Sequence, residues 1–242
     1  MPSEENLIFL SVVMPVYNEE HCILESIRRI QAFMALKGRP WELVIVSDGS
    51  KDETDRLVAA AAASDPHVKL LVSEKNRGKG ATVRRGVLAT SGRTILVTDA
   101  DLASPIKESD KLIAALEEGF DVAIGSRAIR KEGCDVQQSF KRVLSGRLFN
   151  FLVQSLVLKG FKDTQCGFKC FKREAALPLF EAQRLDGFSF DVEILYLAVR
   201  QGFKVKEVPV MWRAGEKSKV RIFRDAVRMV KELFFLRKIY KI

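Results

Sequence analysis

The 242-residue chain is poor in histidine and cysteine and has no long apolar run. Two histidines, His21 and His67, leave little room for a histidine-based metal site. The four cysteines, Cys22, Cys134, Cys166 and Cys170, stand at irregular spacing. That is unlike the framework of a disulfide-stapled secreted domain, and it predicts reduced thiols in a cytosolic protein. The apolar run over residues 7–16 contains Pro15 and ends at Asn18-Glu19-Glu20, well short of the ~20 apolar residues that a membrane span needs. A start carrying Glu4-Glu5 does not read as a signal peptide. The run over 148–158 carries Asn150 and Gln154 and stops at Lys159. Two nucleotide loops are missing as well. Gly78 and Gly80 open a glycine-rich turn, but Val83 stands where a dinucleotide fingerprint has its third glycine, and no Walker A loop occurs. The residues therefore do not match an NAD or ATP loop, which disfavours a nicotinamide dehydrogenase.

What is present is an ordinary globular composition, 47% apolar and 29% charged, with a net charge of +9. The charge is concentrated. Residues 213–242 hold ten basic residues against three acidic ones, a net +7, so the rest is nearly neutral. A nucleic-acid partner is not expected from that distribution. Val220, Phe223, Val227, Val230 and Phe234 recur at helical spacing, with Arg221, Arg224, Arg228 and Lys231 on a neighbouring face. Such a helix suits either an anionic membrane surface or a solvated flank of its own domain.

Short β-rich runs over 11–16, 43–47, 68–72, 94–98 and 122–124 alternate with helical spacing, first at Ile23, Ile27, Ile30 and Met34, then over 54–63. This predicts an α/β fold with a mostly parallel central sheet flanked by helices. Beyond Gly133 come an apolar helix over 143–158, most safely read as core, then a Cys- and Gly-rich loop. A helix over 191–201 and a strand over 205–212 follow. No linker or repeat divides the chain, which reads as one domain over 1–242. Within it, 8–130 form a nucleotide-binding half, 131–212 an acceptor half and 213–242 the basic amphipathic segment.

In such sheets ligands bind beyond the carboxyl ends of the strands. Those ends carry Pro15-Val16-Tyr17-Asn18-Glu19, Ser47-Asp48-Gly49-Ser50, Asp99-Ala100-Asp101 and Gly125-Ser126-Arg127, with the loop Asn76-Arg77-Gly78-Lys79-Gly80 beside them. Asp99 and Asp101 flank one residue, so their carboxylates repel unless a cation lies near; hard oxygen ligands of this kind favour Mg²⁺ or Mn²⁺. A capped turn into the next helix explains the pair equally well in isolation. Tyr17 suits a base, Asp48 a base N–H or a turn, and Lys79 a phosphate. Cys166 and Cys170 are too sparse for zinc and read as packed thiols.

Taken together these motifs resemble those of inverting family-2 glycosyltransferases with the GT-A fold. The later Asp163-Thr164-Gln165-Cys166-Gly167-Phe168-Lys169 and Gly215-Glu216-Lys217-Ser218-Lys219 are similar to those of dolichyl- and polyprenyl-phosphate sugar synthases. The resemblance covers residues 12 to 236. It implies that Pro15, Tyr17, Glu19, Val46 and Asp48 hold the nucleoside. Asp99 and Asp101 would bind the cation and, with the Ala100 backbone, the diphosphate. Arg127, Arg213 and Lys219 would face the phosphates or the sugar, and Lys141 and Ser145 the acceptor phosphate. Ala103 replaces the Gln that mannosyl members carry as a further metal ligand, which leaves Gln165, water or phosphate to complete the cation. The segments 163–171 and 190–196 look closer to dolichyl-phosphate glucosyltransferases, implying UDP-glucose as first donor and GDP-mannose as second. A soluble sugar or a diacylglycerol is the alternative acceptor. Asp191 would bind a sugar hydroxyl or face the acceptor, unless it only caps its helix; Asp191 and Glu193, two apart on a helix, cannot share a face. A lipid acceptor makes a membrane surface a partner, reached through the C-terminal amphipathic helices as interface elements. The expected location is peripheral, on the cytoplasmic face of a membrane.

Overall fold

The computed structural model describes residues 8–129, 132, 134, 136–137, 140–213 and 222–241, and only the backbone of 137, 140–145, 147 and 222–227. Nine strands and eight α-helices occur among them: β1 Leu10–Val16, α1 Ile23–Lys37, β2 Trp41–Ser47, α2 Thr54–Ser64, β3 Val68–Val72, α3 Lys79–Leu88, β4 Thr94–Val97, α4 Ser109–Glu117 and β5 Val122–Ser126. The second half adds β6 Val136–Gln137, α5 Phe140–Leu156, β7 Lys169–Lys172, α6 Arg173–Ala182, α7 Phe190–Arg200, β8 Val205–Pro209, β9 Trp212–Arg213 and α8 Ile222–Tyr240.

Seven strands form one sheet in the order β3-β2-β1-β4-β7-β5-β8, and β6 pairs with β9 in a small second sheet. All pairings in the large sheet are parallel except those of β7, which runs antiparallel to both β4 and β5. The chain winds outward from β1 to β3 and then restarts on the other side of β1 at β4. Strand order therefore reverses between β1 and β4, where α/β sheets open a binding crevice. Because side chains alternate across a strand, Val12, Met14 and Val16 of β1 pack with α1, α2 and α4 on one face. Val13, with Ile95 and Val97 of β4, packs with α3, α5, α6, α7 and α8 on the other. Both faces are covered, which is why the central strands are apolar along nearly their whole length.

Four expectations are corrected here. The segment expected as a Cys- and Gly-rich loop contains β7, in the heart of the sheet. Its four residues begin and end with lysine, and Lys169 is buried only because an acid meets it. The run expected as one strand over 205–212 ends its pairing at Pro209, opposite Ser126 where β5 itself ends, and Trp212–Arg213 pairs with β6 instead. Among the described side chains of α8 the buried ones are Leu233 and Leu236, while Phe234, expected on the apolar face, is 56% exposed; Val220 and the side chains of Phe223 and Val227 lie outside the described residues. The apolar helix α5 is core only in part: Val153 is buried, whereas Leu148 and Phe151 stand in solvent. Cys166 and Cys170 are buried and unpaired with each other, and burial pushes the Cys166 thiol up to about 11.

Candidate active site

The carboxyl ends of β1, β2, β4 and β5 share one edge of the sheet. Since β7 runs the other way, its amino end, Lys169, and the preceding loop come to that same edge: Lys169 pairs with Val97 of β4 and Ile124 of β5. Topology thus adds 163–168 to the four strand ends.

Loops fix one another by hydrogen bonds. After β1, the Asn18 amide N–H donates to Ser50 Oγ at 3.0 Å, and Asn18 Oδ1 accepts from the Lys51 N–H at 2.7 Å. The Asp48 carboxylate, nearly fully buried, accepts from the Arg77 and Gly78 N–H groups at 2.7 and 2.9 Å. Asp48 therefore anchors the loop that leads into α3, the turn alternative for this residue. Gly78 has φ of 112°, and a Cβ there would lie 2.4 Å from the Asp186 carbonyl oxygen. That carbonyl accepts from the Gly80 and Ala81 N–H groups, docking the start of α3 on the loop before α7.

From the first turn of α3, Lys79 Nζ reaches Asp99 Oδ1 at 2.6 Å. A cation does sit beside the aspartate pair, then, and it is an ammonium. Asp99 and Asp101 lie in a turn closed by the Leu102 N–H on the Asp99 carbonyl at 3.1 Å. Leu102 holds φ of 47°, a left-handed conformation costing a non-glycine residue about 1 kcal/mol or more. Asp101 Oδ1 accepts from the Ala103 N–H at 3.0 Å, and the Ala100 carbonyl accepts from buried Ser26 Oγ at 2.6 Å. Gly167 packs directly on the pair: a Cβ at that position would stand 2.4 Å from Asp99 Oδ2.

Two further ion pairs complete the floor. Arg127 donates to Asp163 through Nε at 2.7 Å, Nη2 at 2.8 Å and its backbone N–H at 3.0 Å. Lys169 Nζ meets Asp191 Oδ1 at 2.5 Å, both buried. Asp191 thus lies under the cleft, and the side chain of Ser189 caps no N–H of α7. Glu193, on another face as expected, accepts from the Arg184 and Leu185 N–H groups and the Tyr240 hydroxyl.

The charges decide how these groups titrate. Burial pushes Asp99 up, but the charges of Lys79, Lys169 and Arg127 outweigh it and hold the carboxyl below its ordinary value. Burial pushes Asp101 up, and the like charges of Asp99 and Glu19 push the same way, so Asp101 lies above its ordinary value. Desolvation also raises Asp191 despite its lysine. None of the three ion pairs takes up Asp101, which shares its turn with Asp99. Hard oxygen donors with unmet negative charge fit Mg²⁺ or Mn²⁺.

The remaining expected residues fall as follows. Pro15 and Val46 are register partners at the ends of β1 and β2, but Val46 is fully buried against α3, so its side chain belongs to the core. Tyr17 and Glu19 follow β1, and the Glu19 charge acts on Asp101. Arg213 is exposed, and its N–H donates to the Ala103 carbonyl at 2.8 Å, which brings β9 to the aspartate turn. Lys141 and Ser145 lie on α5 with side chains outside the described residues, as is the whole of Lys219. Sequence reading assigned no role to Asp163, Gly167 and Lys169; a lysine between Phe168 and Cys170 was the available signal that an acid waits opposite. A cavity of about 320 Å³, lined by Phe9, Phe33 and Trp41 among others, lies at the opposite edge of the sheet.

Residues 11–180 match the family described as Glycosyl transferase family 2. Among curated proteins, the chain is similar to a dolichyl-phosphate beta-glucosyltransferase of Dictyostelium discoideum, 35% identical over 95% of this chain and 74% of the relative. It is likewise similar to that of Homo sapiens, 36% identical over 96% and 75%. Among solved structures, it is similar to a glucosyl-3-phosphoglycerate synthase from Mycobacterium tuberculosis in complex with Mn²⁺, UDP-glucose and phosphoglyceric acid. That likeness has a TM-score of 0.70 at 20% identity and covers 95% of this chain and 79% of the other. It bears out the expected GT-A fold.

Proposed function

The chain belongs to glycosyltransferase family 2, and on that premise we propose that it transfers glucose from UDP-glucose to a dolichyl or polyprenyl phosphate, giving a β-linked lipid-phosphate sugar. What carries the reading is the meeting of the Asp99-Ala100-Asp101 turn with Lys79, Arg127 and the Asp48-anchored loop at the strand-order reversal. It occurs in a chain whose relatives are named for β-glucosyl transfer to dolichyl phosphate.

A phosphate monoester has its second pKa near 6, so the acceptor brings an ionised oxygen and needs no strong base. That oxygen attacks the anomeric carbon in line, the bond to the nucleoside diphosphate breaks, and the configuration inverts. The protein's task is to position two anionic substrates and to neutralise the departing diphosphate. Tyr17, Glu19 and Asp48 would wall the nucleoside. Asp99 and Asp101 would hold Mg²⁺ or Mn²⁺, which when bound supplies charge stabilisation for the leaving group. The Lys79 ammonium, 2.6 Å from Asp99 Oδ1, would also meet the diphosphate. Arg213 and Lys219 would meet phosphate from the open side, while Arg127, held by Asp163, keeps a fixed positive charge at the floor.

A lipid acceptor requires a membrane-facing surface. Leu148 and Phe151 of α5 and Phe234 and Phe235 of α8 are exposed, and Arg237 and Lys238 close the last turn of α8. Exposed aromatics beside basic residues suit an anionic lipid interface. We assign peripheral attachment through α5 and α8 on the cytoplasmic face. No helix among the described residues is long and apolar enough to cross a membrane.

The test is incubation of purified protein with polyprenyl phosphate in detergent, Mg²⁺ or Mn²⁺, and labelled UDP-glucose or GDP-mannose. Labelled lipid with UDP-glucose, abolished by EDTA, is the expected result. Failure with every donor while the protein remains folded overturns the reading.

A further inference from the structure

A second group of metal-binding atoms lies next to the donor cleft, and the transfer reaction needs no metal there. At the entry to α1, Glu19, His21 and Cys22 each present a ligand atom within 4.8 Å of the other two. The same oxygen, Glu19 Oε2, stands 3.6 Å from Cys22 Sγ and 3.9 Å from His21 Nε2. Zinc–ligand bonds of about 2.0–2.3 Å at tetrahedral angles put two ligand atoms about 3.3–3.7 Å apart. One of the two measured spacings already meets that value, and the other closes with a small rotation of an exposed imidazole.

The backbone holds these side chains in place. The Cys22 and Ile23 N–H groups donate to the Glu19 carbonyl at 3.1 and 3.0 Å, winding 19–22 into a single turn. The Glu19 N–H donates to Thr54 Oγ1 at 2.7 Å, pinning that turn to the buried start of α2. The His21 side chain is 41% exposed and provides the way in, with room for water as a fourth ligand. The paucity of histidine in the sequence suggested no such site, because its signal is one histidine with a thiol and a carboxylate inside four residues.

The ligand types differ from those of the Asp99–Asp101 pair. Thiolate and imidazole select Zn²⁺ and its borderline neighbours over Mg²⁺ and Mn²⁺, which prefer oxygen alone. The two places are electrostatically joined: the Glu19 charge acts on Asp101, and Cys22 Sγ lies 3.8 Å from the Ala100 carbonyl. We propose that Glu19, His21 and Cys22 form a regulatory site for a Zn²⁺-class cation, and that its occupancy opposes binding of the nucleotide sugar by engaging the Glu19 carboxylate that would otherwise face the nucleoside. The second clause rests on the donor reading given above; the first stands without it.

The experiment uses the full chain and two variants, His21→Ala and Cys22→Ser, neither of them placed in the transfer machinery. Zn²⁺ binding is measured by titration calorimetry, and Co²⁺ serves as a spectroscopic stand-in whose thiolate charge-transfer absorption reports sulfur ligation. One equivalent of Zn²⁺ is expected, weakened at least about tenfold in each variant, ~1.4 kcal/mol. The Co²⁺–thiolate absorption should vanish in Cys22→Ser. Unchanged Zn²⁺ affinity in both variants, or an absorption that persists in Cys22→Ser, overturns the site. With saturating Mn²⁺, added Zn²⁺ should raise the KM for UDP-glucose in the parent chain and leave the variants, of normal basal activity, unaffected. Zn²⁺ bound with no change in KM overturns the regulatory clause. The calorimetry and the Co²⁺ spectrum need no turnover, so failure of the transfer reading itself would be seen separately, as absence of labelled lipid.

Discussion

Lys79 and Asp99 join the start of α3 to the end of β4 through a 2.6 Å contact between Nζ and Oδ1. The pair fixes one oxygen of the aspartate turn, and under the proposed function it puts an ammonium beside the donor diphosphate. Lys79→Met removes that charge without removing the side chain's length. The KM for the nucleotide sugar is expected to rise about tenfold, the value of one hydrogen bond to a charged group, with the circular dichroism spectrum unchanged. Steady-state kinetics with varied donor checks this; an unaltered KM would confine Lys79 to a structural role.

Gly167 has no space for a methyl group beside Asp99. Gly167→Ala must push the carboxylate or the 163–168 loop aside, at about 1–3 kcal/mol for overpacking. We expect a matching loss in chemical denaturation and a larger proportional loss in kcat, since the displaced group is the proposed cation ligand. Measuring both on the same preparation separates a general loosening from a misplaced Asp99.

At the far edge of the sheet, Glu42 is 1% exposed and accepts from Ser11 Oγ, the Ser91 N–H and Lys69 Nζ. Burial pushes its carboxyl up, but these bonds outweigh that and hold it below its ordinary value. A lowered folded-state value means that the stabilisation is fully present above the ordinary carboxylate range, near pH 4, and is lost as pH falls through the lowered value. Glu42→Gln should cost about 1–3 kcal/mol near pH 7 and flatten the loss of stability on acidification. Denaturant titrations across pH 3 to 7, roughly the carboxylate window, test the slope.

Phe151 and Phe234 stand exposed on neighbouring helices. If α5 and α8 rest on lipid, Phe151→Ser with Phe234→Ser should weaken binding to anionic vesicles at least about tenfold, given ~1.5–3 kcal/mol for each buried Phe. Transfer to a short-chain, water-soluble acceptor phosphate should be unaffected. Vesicle flotation and parallel assays distinguish this from damage to the cleft.

Much of this architecture is legible in the sequence alone. Apolar runs at β1 to β5 and helical spacing at α1 and α2 announced the parallel half, because a sheet covered on both faces must be apolar along its strands. The strand ends point to Asp48, Asp99, Asp101 and Arg127 because such sheets bind ligands beyond the carboxyl ends of their strands. What the sequence hid were pairings between distant charges. Nothing local says that Arg127 will be clasped by Asp163, 36 positions later, or Lys169 by Asp191, 22 positions later. The lysine-bounded β7 looks polar until its acid is known, and it escaped notice. Similarly, the buried stripe of α8 depends on which turn meets the core, and that choice belongs to tertiary contact rather than to periodicity.

The placement of β7 also bears on how the protein comes into being. β4 and β5 leave the ribosome long before residue 169, and until the strand between them arrives each has an open edge on that side. The nascent chain must shelter two adhesive borders for more than forty residues of synthesis after β5 is complete. A truncation anywhere before β7 would make that transient vulnerability permanent.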